Sequence, residues 1–286
     1  NDGDWFVRRD AAAQAAHEWM PIRTPNPQNL LAIQRRFRIG DLAELWMLET
    51  RVSGRDIILD NEGLMLPGLD IPLFSQTGPF ANPSRSMLGS EQEAWFDSSF
   101  RASDARWRLV GNQTMFGQLR AVGLPNAIGG GLFVNPDQWD GYSANRARIF
   151  NTLREAYAIG NPHNTVFLSG DFHASFAMDL SPDPGLLGGS LSALAVEYVT
   201  PASANTAAPE AAAIADVLRA VNPHFKYVDV ASAGYMIHDL TPERVSSEFW
   251  FVPRIDVPAF GEQMAASFEV EWGRSRVTRT DRFSLG

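Results

Sequence analysis

Residues 165–169 constrain the fold more than any other part of this sequence, because they form a short apolar run without polar alternation. Runs of this kind are typical of strands that are buried on both faces of a sheet. The run follows a segment of helical spacing, residues 142–159, and ends at Ser169 and Gly170. A helix that leads into a doubly buried strand predicts an α/β protein with this strand inside its sheet.

Helix and strand patterns also alternate along the rest of the sequence. Helices are predicted over residues 4–20, 88–100 and 209–221, and strands over residues 37–39, 45–49, 106–110, 193–199, 225–230, 235–240, 245–252 and 265–272. Residues 60–86 and 116–141 are rich in glycine and proline and are predicted to be long ordered loops; a flexible run of three glycines lies in the second. We therefore predict a single α/β (α+β) domain over residues 1–286, with a β-rich C-terminal part.

Two potential metal ligands, Asp171 and His173, come directly after the strand at residues 165–169. Ligands of α/β sheets bind beyond the carboxyl ends of parallel strands. If the backbone stays extended, Asp171, His173 and Ser175 point to the same side. Carboxylate and neutral imidazole groups suit Fe, Mn or Zn. The alternative is structural, with His173 as a hydrogen-bonded core histidine and Asp171 as a turn cap, and the string alone leaves both interpretations open.

Polar residues follow two other predicted strands. Asn112 and Gln113 come after residues 106–110 and could reach the same edge of the sheet as Asp171, although loop hydrogen bonding is an equal alternative. Glu49 and Arg51 end the strand at residues 45–49 and are expected to form a buried structural ion pair; the alternative is that they contribute to the rim of an active site.

Composition excludes some classes of function. The sequence contains no cysteine, so disulfides, thiolate metal sites and thiol nucleophiles within these residues are excluded. The net charge of −9 argues against a nucleic-acid surface, but it permits a phosphate ester substrate at a metal site. We recognise no signal peptide and no apolar run long enough to span a membrane.

Nine strings in this sequence, taken in order, resemble the PhoD-type alkaline phosphatase and phosphodiesterase family of metallophosphatases. They extend from Gly3 to Val252 and read GDWFVRRDAAAQAAHEWMPIR, LWMLETR, LGSEQEAWF, WRLVGNQTMF, VFLSGDFHASFAMDL, VEYVTPASA, NPHFKYVD, GYMIHDLTPERV and WFV. Each string alone is a modest match, but the GD-x-H string within this ordered set is specific.

The resemblance implies a metallophosphatase-like β-sandwich of two mixed sheets flanked by helices. It implies hydrolysis of phosphate mono- or diesters, of small molecules or lipids, by a metal-activated water, with Fe and Ca as the family's metals. Asp171 and His173 match the family's metal-binding GD-x-H string. From its position alone, we interpret Gln113 as a hydrogen-bonding residue at the substrate or beside the metal ligands. The resemblance further implies a periplasmic or extracellular location.

One difference from the family pattern leaves two functions open. The family's other metal ligands lie upstream, in strings that this sequence lacks, so the chain resembles the C-terminal part of such an enzyme and its sheet is expected to be incomplete at the N-terminus. Two ligands do not make a multinuclear centre. Either further ligands complete the site, or the chain is a non-catalytic fragment or degenerate member that retains the fold and acts as a binding protein.

Overall fold

The structure is a computed structural model that describes residues 3–60, 64–66, 71–126, 129–158, 163–185, 192–204, 212–257 and 261–281. Its α-helices are α1 (Trp5–Trp19), α2 (Gly89–Arg101), α3 (Ser143–Ala158) and α4 (Ile214–Val221). Its strands are β1 (Arg35–Ile39), β2 (Ala43–Met47), β3 (Leu64–Leu66), β4 (Ile71–Leu73), β5 (Trp107–Asn112), β6 (Arg120–Gly123), β7 (Gly131–Phe133), β8 (Asn164–Ser169), β9 (Ser175–Leu180), β10 (Ala195–Val199), β11 (Phe225–Asp229), β12 (Ala233–Leu240), β13 (Arg244–Val252), β14 (Gln263–Glu271) and β15 (Thr278–Arg279).

A seven-stranded mixed sheet in the order β1-β2-β5-β8-β10-β9-β11 forms the centre of the protein. The predicted doubly buried strand is its middle strand, β8, which runs parallel to β5 on one side and to β10 on the other. Strand β2 is also parallel to β5, so β2, β5, β8 and β10 all end at the same edge. The outer strands β1, β9 and β11 run antiparallel to their neighbours.

A second sheet, β12-β13-β14-β15, packs against one face of the central sheet. It is antiparallel throughout. Phe249 and Phe268 of this sheet lie in one apolar cluster with Trp107, Val166 and Tyr198 of the central sheet. Alternation along the strands produces this layer, because each central strand sends every second side chain to this face.

Helices α2 and α3 cover the opposite face of the central sheet. Their buried residues Phe96 and Phe150 join a second apolar cluster with Trp46, Val110 and Phe167 of β2, β5 and β8. Two packed sheets flanked by helices are therefore present, and the predicted fold class is confirmed, with the refinement that only the larger sheet is mixed.

Helix α1 stands apart from both clusters. Its N-terminus is capped by Asp4, whose side chain accepts a hydrogen bond of 3.0 Å from the Val7 amide. The helix predicted over residues 4–20 is confirmed, although none of its residues, all of them described, is buried. Over the described ranges, no helix combines the length and the apolar character needed to cross a lipid bilayer.

The two predicted long loops contain short paired strands. Residues 60–86 include the pair β3 and β4, and residues 116–141 include the pair β6 and β7. The interpretation of the glycine run as flexible is wrong at Gly131, which begins β7 with φ +103°. A Cβ atom there would lie 1.8 Å from the Val122 carbonyl oxygen, so the close approach of β6 and β7 requires glycine.

A buried ion pair fixes the second of these segments to helix α3. Arg146 donates a hydrogen bond of 2.6 Å to Asp140, and both side chains are almost fully buried. The other oxygen of Asp140 accepts from the Leu119 amide at 2.8 Å. Burial raises the pKa of Asp140, and these partners oppose that effect. The segment is thus held at both ends, and its residues before Asp140 are directed toward the edge where β5 and β8 end.

Candidate functional site

Polar groups from several elements line one cavity of about 660 Å³ where the parallel strands end. Asn112 is the last residue of β5 and Gln113 follows it; Gly170 and Asp171 follow β8. Because β5 and β8 are parallel and in register from Trp107 and Asn164 onward, their carboxyl ends lie side by side. The structure therefore brings Asn112 and Gln113 to the same cavity as Asp171, as strand polarity predicts.

The backbone between β8 and β9 is a compact turn, which corrects the expectation of an extended strand. Asp171 and His173 both adopt left-handed conformations, with φ of +66° and +58°, and the Phe172 amide donates to the Gly170 carbonyl at 2.7 Å. Since β10 lies between β8 and β9, the chain must cross the end of β10 within five residues. As a result Asp171 and His173 are exposed, whereas Ser175 is fully buried at the start of β9.

The carboxylate of Asp171 lies between an amide and a guanidinium group. Gln138 Nε2 donates to Asp171 Oδ2 at 2.8 Å, and Arg51 Nη1 lies 3.6 Å from the same oxygen. Gln138 is almost fully buried, and its Oε1 accepts from the Met115 amide at 2.6 Å. Both ends of the Gln138 amide are therefore used, so its orientation toward Asp171 is fixed.

Arg51 and Glu49 do not form the expected ion pair. Buried Glu49 accepts hydrogen bonds from the backbone amides of Arg51, Val52 and Ser53, at 2.7, 2.9 and 2.5 Å. The Arg51 side chain instead donates to Asp137 Oδ2 at 2.9 Å. The loop after β2 is folded around its own carboxylate, and this turn directs the Arg51 guanidinium to the rim of the cavity.

Asp137 binds two arginines at this rim. Burial alone would raise the pKa of Asp137, but hydrogen bonds from Arg51 and Arg55 outweigh burial and lower it. Arg55 is itself held by the Tyr142 hydroxyl, which accepts from its Nε at 2.9 Å. Asp137 is therefore ionised near neutral pH and joined to a buried, fixed cation.

Gln113 lies beside Arg51 with only part of its amide committed. Its Oε1 accepts from the Thr50 amide at 2.6 Å and from the Thr50 hydroxyl at 3.1 Å. The Nε2 group is then the atom of Gln113 that could donate to an oxygen of a ligand. This placement is compatible with the interpretation of Gln113 as a hydrogen-bonding residue at the substrate or beside the metal ligands. That role stays a prediction.

A buried carboxyl group, that of Glu197, binds Ser169, which lines the cavity. Glu197 of β10 accepts from the Phe116 and Gly117 amides, both at 2.7 Å, and from the Ser169 hydroxyl at 2.5 Å. Asn112 Nδ2 also donates to Ser169 Oγ, at 3.3 Å. Burial raises the pKa of Glu197 to about 7 despite these donors. The network links Ser169, which lines the cavity, to β10, to the end of β5 and to the segment that follows β5.

His238 of β12 lines the far side of the same cavity. Its Nδ1 lies 2.9 Å from the Ser247 hydroxyl, and burial lowers its pKa to about 4, so the ring is neutral at pH 7. No sequence pattern singles out His238, and none marks Asp137 or Gln138 strongly. The only signal for the last two is the polar and aromatic string NPDQWDGY inside a segment that was predicted to be a loop.

The donor types at this edge match part of a metal site. Asp171 and His173 provide a carboxylate and an imidazole on one exposed turn, as Fe, Mn or Zn would require. Across the part of the chain that the structure describes, no cluster of three or more histidine, aspartate or glutamate side chains is arranged to hold a metal ion. Asp171 and His173 would need further ligands to hold a metal ion, and their role as metal ligands stays a prediction.

Comparison with known proteins identifies the family. The model of the PhoD-like phosphatase family matches residues 1–249. The chain is 29% identical over 268 residues to alkaline phosphatase D of Bacillus subtilis (strain 168), a match that covers 92% of this chain and 42% of that protein. A solved structure described as the structure of PhoD superimposes with a TM-score of 0.76 at 26% identity, covering 96% of this chain and 49% of that one. The chain thus spans less than half the length of these relatives, and it belongs to the PhoD-like phosphatase family.

Proposed function

We propose that this chain forms part of a metal-dependent phosphoesterase that hydrolyses phosphate mono- or diesters at the carboxyl edge of its central sheet. The observation that carries the proposal is the convergence of Arg51, Gln113 and Asp171 on one cavity in a PhoD-like fold. A guanidinium group and an amide donor beside a carboxylate are the groups that recognition of a phosphate ester near a cation requires.

Each residue has a role in this proposal. Arg51 would donate charge-assisted hydrogen bonds to a non-bridging oxygen of the phosphoryl group, and Gln113 Nε2 would donate to a second oxygen. Asp171 and His173 would each hold a metal ion, which the family resemblance suggests to be Fe or Ca. When bound, such ions supply polarisation of the phosphoryl oxygens and activation of a water molecule.

The names of the relatives support hydrolysis of phosphate esters in general, without specifying the substrate. The relative from Bacillus subtilis carries the name alkaline phosphatase D, which denotes hydrolysis of phosphate esters. The present chain covers 42% of that protein, so we propose the same class of activity for the larger assembly to which these residues would contribute. The substrate would be a small-molecule or lipid phosphate ester, and the family resemblance supports export to the periplasm or the cell exterior, which cell fractionation would test.

A matched pair of histidine variants tests the proposed function. The purified protein should hydrolyse p-nitrophenyl phosphate or bis(p-nitrophenyl) phosphate and contain metal by elemental analysis. His173→Ala should remove both properties. His17→Ala is the control, since His17 lies in α1 and hydrogen bonds to the Leu30 carbonyl at 2.9 Å.

Two outcomes would count against the proposal. Full activity and metal content in the His173→Ala variant would show that the residue has no such role. A folded wild-type protein without metal and without activity would favour the alternative function, that of a non-catalytic binding protein.

A further inference from the structure

The loop before α3 contacts both charged groups of the candidate site through adjacent residues. Asp137 accepts from Arg51 Nη1 at 2.9 Å, and Gln138 donates to Asp171 at 2.8 Å. Neither residue belongs to the set inferred from the sequence. Because the two residues are adjacent, one loop contacts both a cation and an anion that lie 3.6 Å apart.

Asp137 is anchored independently of Arg51. Its Oδ1 forms an ion pair with Arg55, whose side chain is only 6% exposed, and its backbone carbonyl accepts from Arg55 Nη2 at 3.0 Å. Arg55 is in turn fixed by Tyr142. The position of Asp137 is therefore set by Arg55 and Tyr142, so Arg51 pairs with a carboxylate that is already held in place.

The distances show what Asp137 does to Arg51. The same Nη1 atom lies 2.9 Å from Asp137 Oδ2 and 3.6 Å from Asp171 Oδ2. At 3.6 Å, Arg51 and Asp171 form a long ion pair, beyond hydrogen-bond distance. Without a carboxylate at Asp137, attraction would draw Arg51 into direct hydrogen-bond contact with Asp171. Such a pair would use the guanidinium group that an anion needs and the carboxylate oxygen that a cation needs.

We propose that Asp137 is a positioning residue that keeps Arg51 beyond hydrogen-bond distance of Asp171, so that Arg51 can bind phosphate while Asp171 remains open to a cation. This inference rests on the proposed function, since it assigns the arrangement of the same site. Gln138 contributes by occupying the Asp171 oxygen nearest Arg51 with a neutral donor.

A double-mutant cycle with inorganic phosphate as the probe tests this inference. The dissociation constant is measured by titration calorimetry for the wild-type protein, Asp137→Asn, Arg51→Gln and the double variant. Asp137→Asn should weaken phosphate binding about tenfold, and it should have no further effect when Arg51 is already glutamine, because a residue that acts through another loses its effect with that partner. Asp104→Asn is the matched control, since it removes an exposed ion pair with Arg38.

The outcomes separate this inference from the proposed function. If Asp137→Asn weakens phosphate binding equally in both backgrounds, or not at all, Asp137 does not act through Arg51 and the inference is overturned. If the wild-type protein binds no phosphate, or if Arg51→Gln binds it as well as the wild type, the proposed phosphate site itself is wrong. Weakening by Arg51→Gln without any effect of Asp137→Asn removes only the positioning role.

A structural readout and a second variant complete the test. In a crystal structure of Asp137→Asn, Arg51 should lie in direct hydrogen-bond contact with Asp171, and an unmoved Arg51 would contradict the proposal. Should Asp137→Asn fail to fold, as judged by its thermal unfolding, Asp137→Glu replaces it in the cycle. That variant keeps the negative charge but displaces it by one methylene group, and the same non-additivity is expected.

Discussion

Replacing Glu197 by glutamine should remove a pH dependence of stability that the buried carboxyl group imposes on the protein. Glu197 is fully buried, and burial raises its pKa from 4.5 to about 7. The three donors around it, the Phe116 and Gly117 amides and the Ser169 hydroxyl, lower the pKa but do not outweigh burial. The folded state therefore retains a proton that the unfolded chain releases in weak acid.

The sign and size of the effect follow from this difference. Below pH 4.5 the carboxyl group is protonated in both states, so its contribution to stability is fully present. Between pH 4.5 and about 7 the unfolded state releases the proton first, so the free energy of unfolding falls as the pH rises. At about 1.4 kcal/mol for each pH unit, the loss reaches about 3 kcal/mol and is complete above the folded-state value.

Urea unfolding of the wild-type protein and of Glu197→Gln between pH 5 and 8 measures the effect. Glutamine has an amide nitrogen in place of one carboxyl oxygen, and this nitrogen cannot accept a hydrogen bond. The free energy of unfolding of the variant therefore differs from that of the wild type by a further amount, which does not change with pH. The difference between the two unfolding free energies should shift by about 2–3 kcal/mol over this range, in favour of the variant at high pH. Parallel curves would refute the reasoning, because all other titrating groups cancel in the comparison.

Three further predictions test the fold. Gly54→Ala places a Cβ atom 1.9 Å from the Leu88 carbonyl oxygen and should lower the free energy of unfolding, measured with urea, by more than about 3 kcal/mol. Gly261→Ala is the control: its Cβ atom meets nothing within 4 Å, so the free energy of unfolding should change by less than about 1 kcal/mol. Asp140→Asn leaves its buried arginine partner without a counter-charge and should lower the free energy of unfolding by about 3–5 kcal/mol; a loss below about 1 kcal/mol would contradict the burial of this pair. Phe116→Ala removes a fully buried ring that stacks on Phe167 with a distance of 4.5 Å between the ring centroids. It should lower the free energy of unfolding by about 3–5 kcal/mol in the same assay, and a smaller loss would indicate that the core collapses around the cavity.

The central part of the fold could be predicted because its strands are strongly apolar or clearly alternating. Strand β9 was missed because Ser175 and Asp179 interrupt its apolar residues. Both polar side chains are nevertheless buried, since Asp179 accepts from the Val277 amide at 2.8 Å and pairs with Lys226 at 3.2 Å. Such partners are distant in sequence, and local patterns contain no information about them. The assignment of residues 1–286 to one domain stays a prediction.

The site was predictable only where strand polarity determines it. Parallel strands end at one edge, which was enough to place Gln113 with Asp171. The contacts of Asp137 and Gln138 depend on a loop whose path is fixed by the buried pair of Asp140 and Arg146. The roles of Gln113, Asp171 and His173 as functional residues remain predictions.

The left-handed turn after β8 has a consequence for laboratory evolution. A non-glycine residue in this conformation costs about 1–2 kcal/mol, and the turn contains two, Asp171 and His173. Glycine would adopt the same backbone at either position without that cost. Selection for thermal stability acts in two directions at Asp171, because glycine relieves the strained backbone but also removes the acceptor of the hydrogen bond from buried Gln138. Libraries screened for robustness should keep the carboxylate at Asp171 only if this hydrogen bond outweighs the backbone strain, so the residues recovered there compare the two effects.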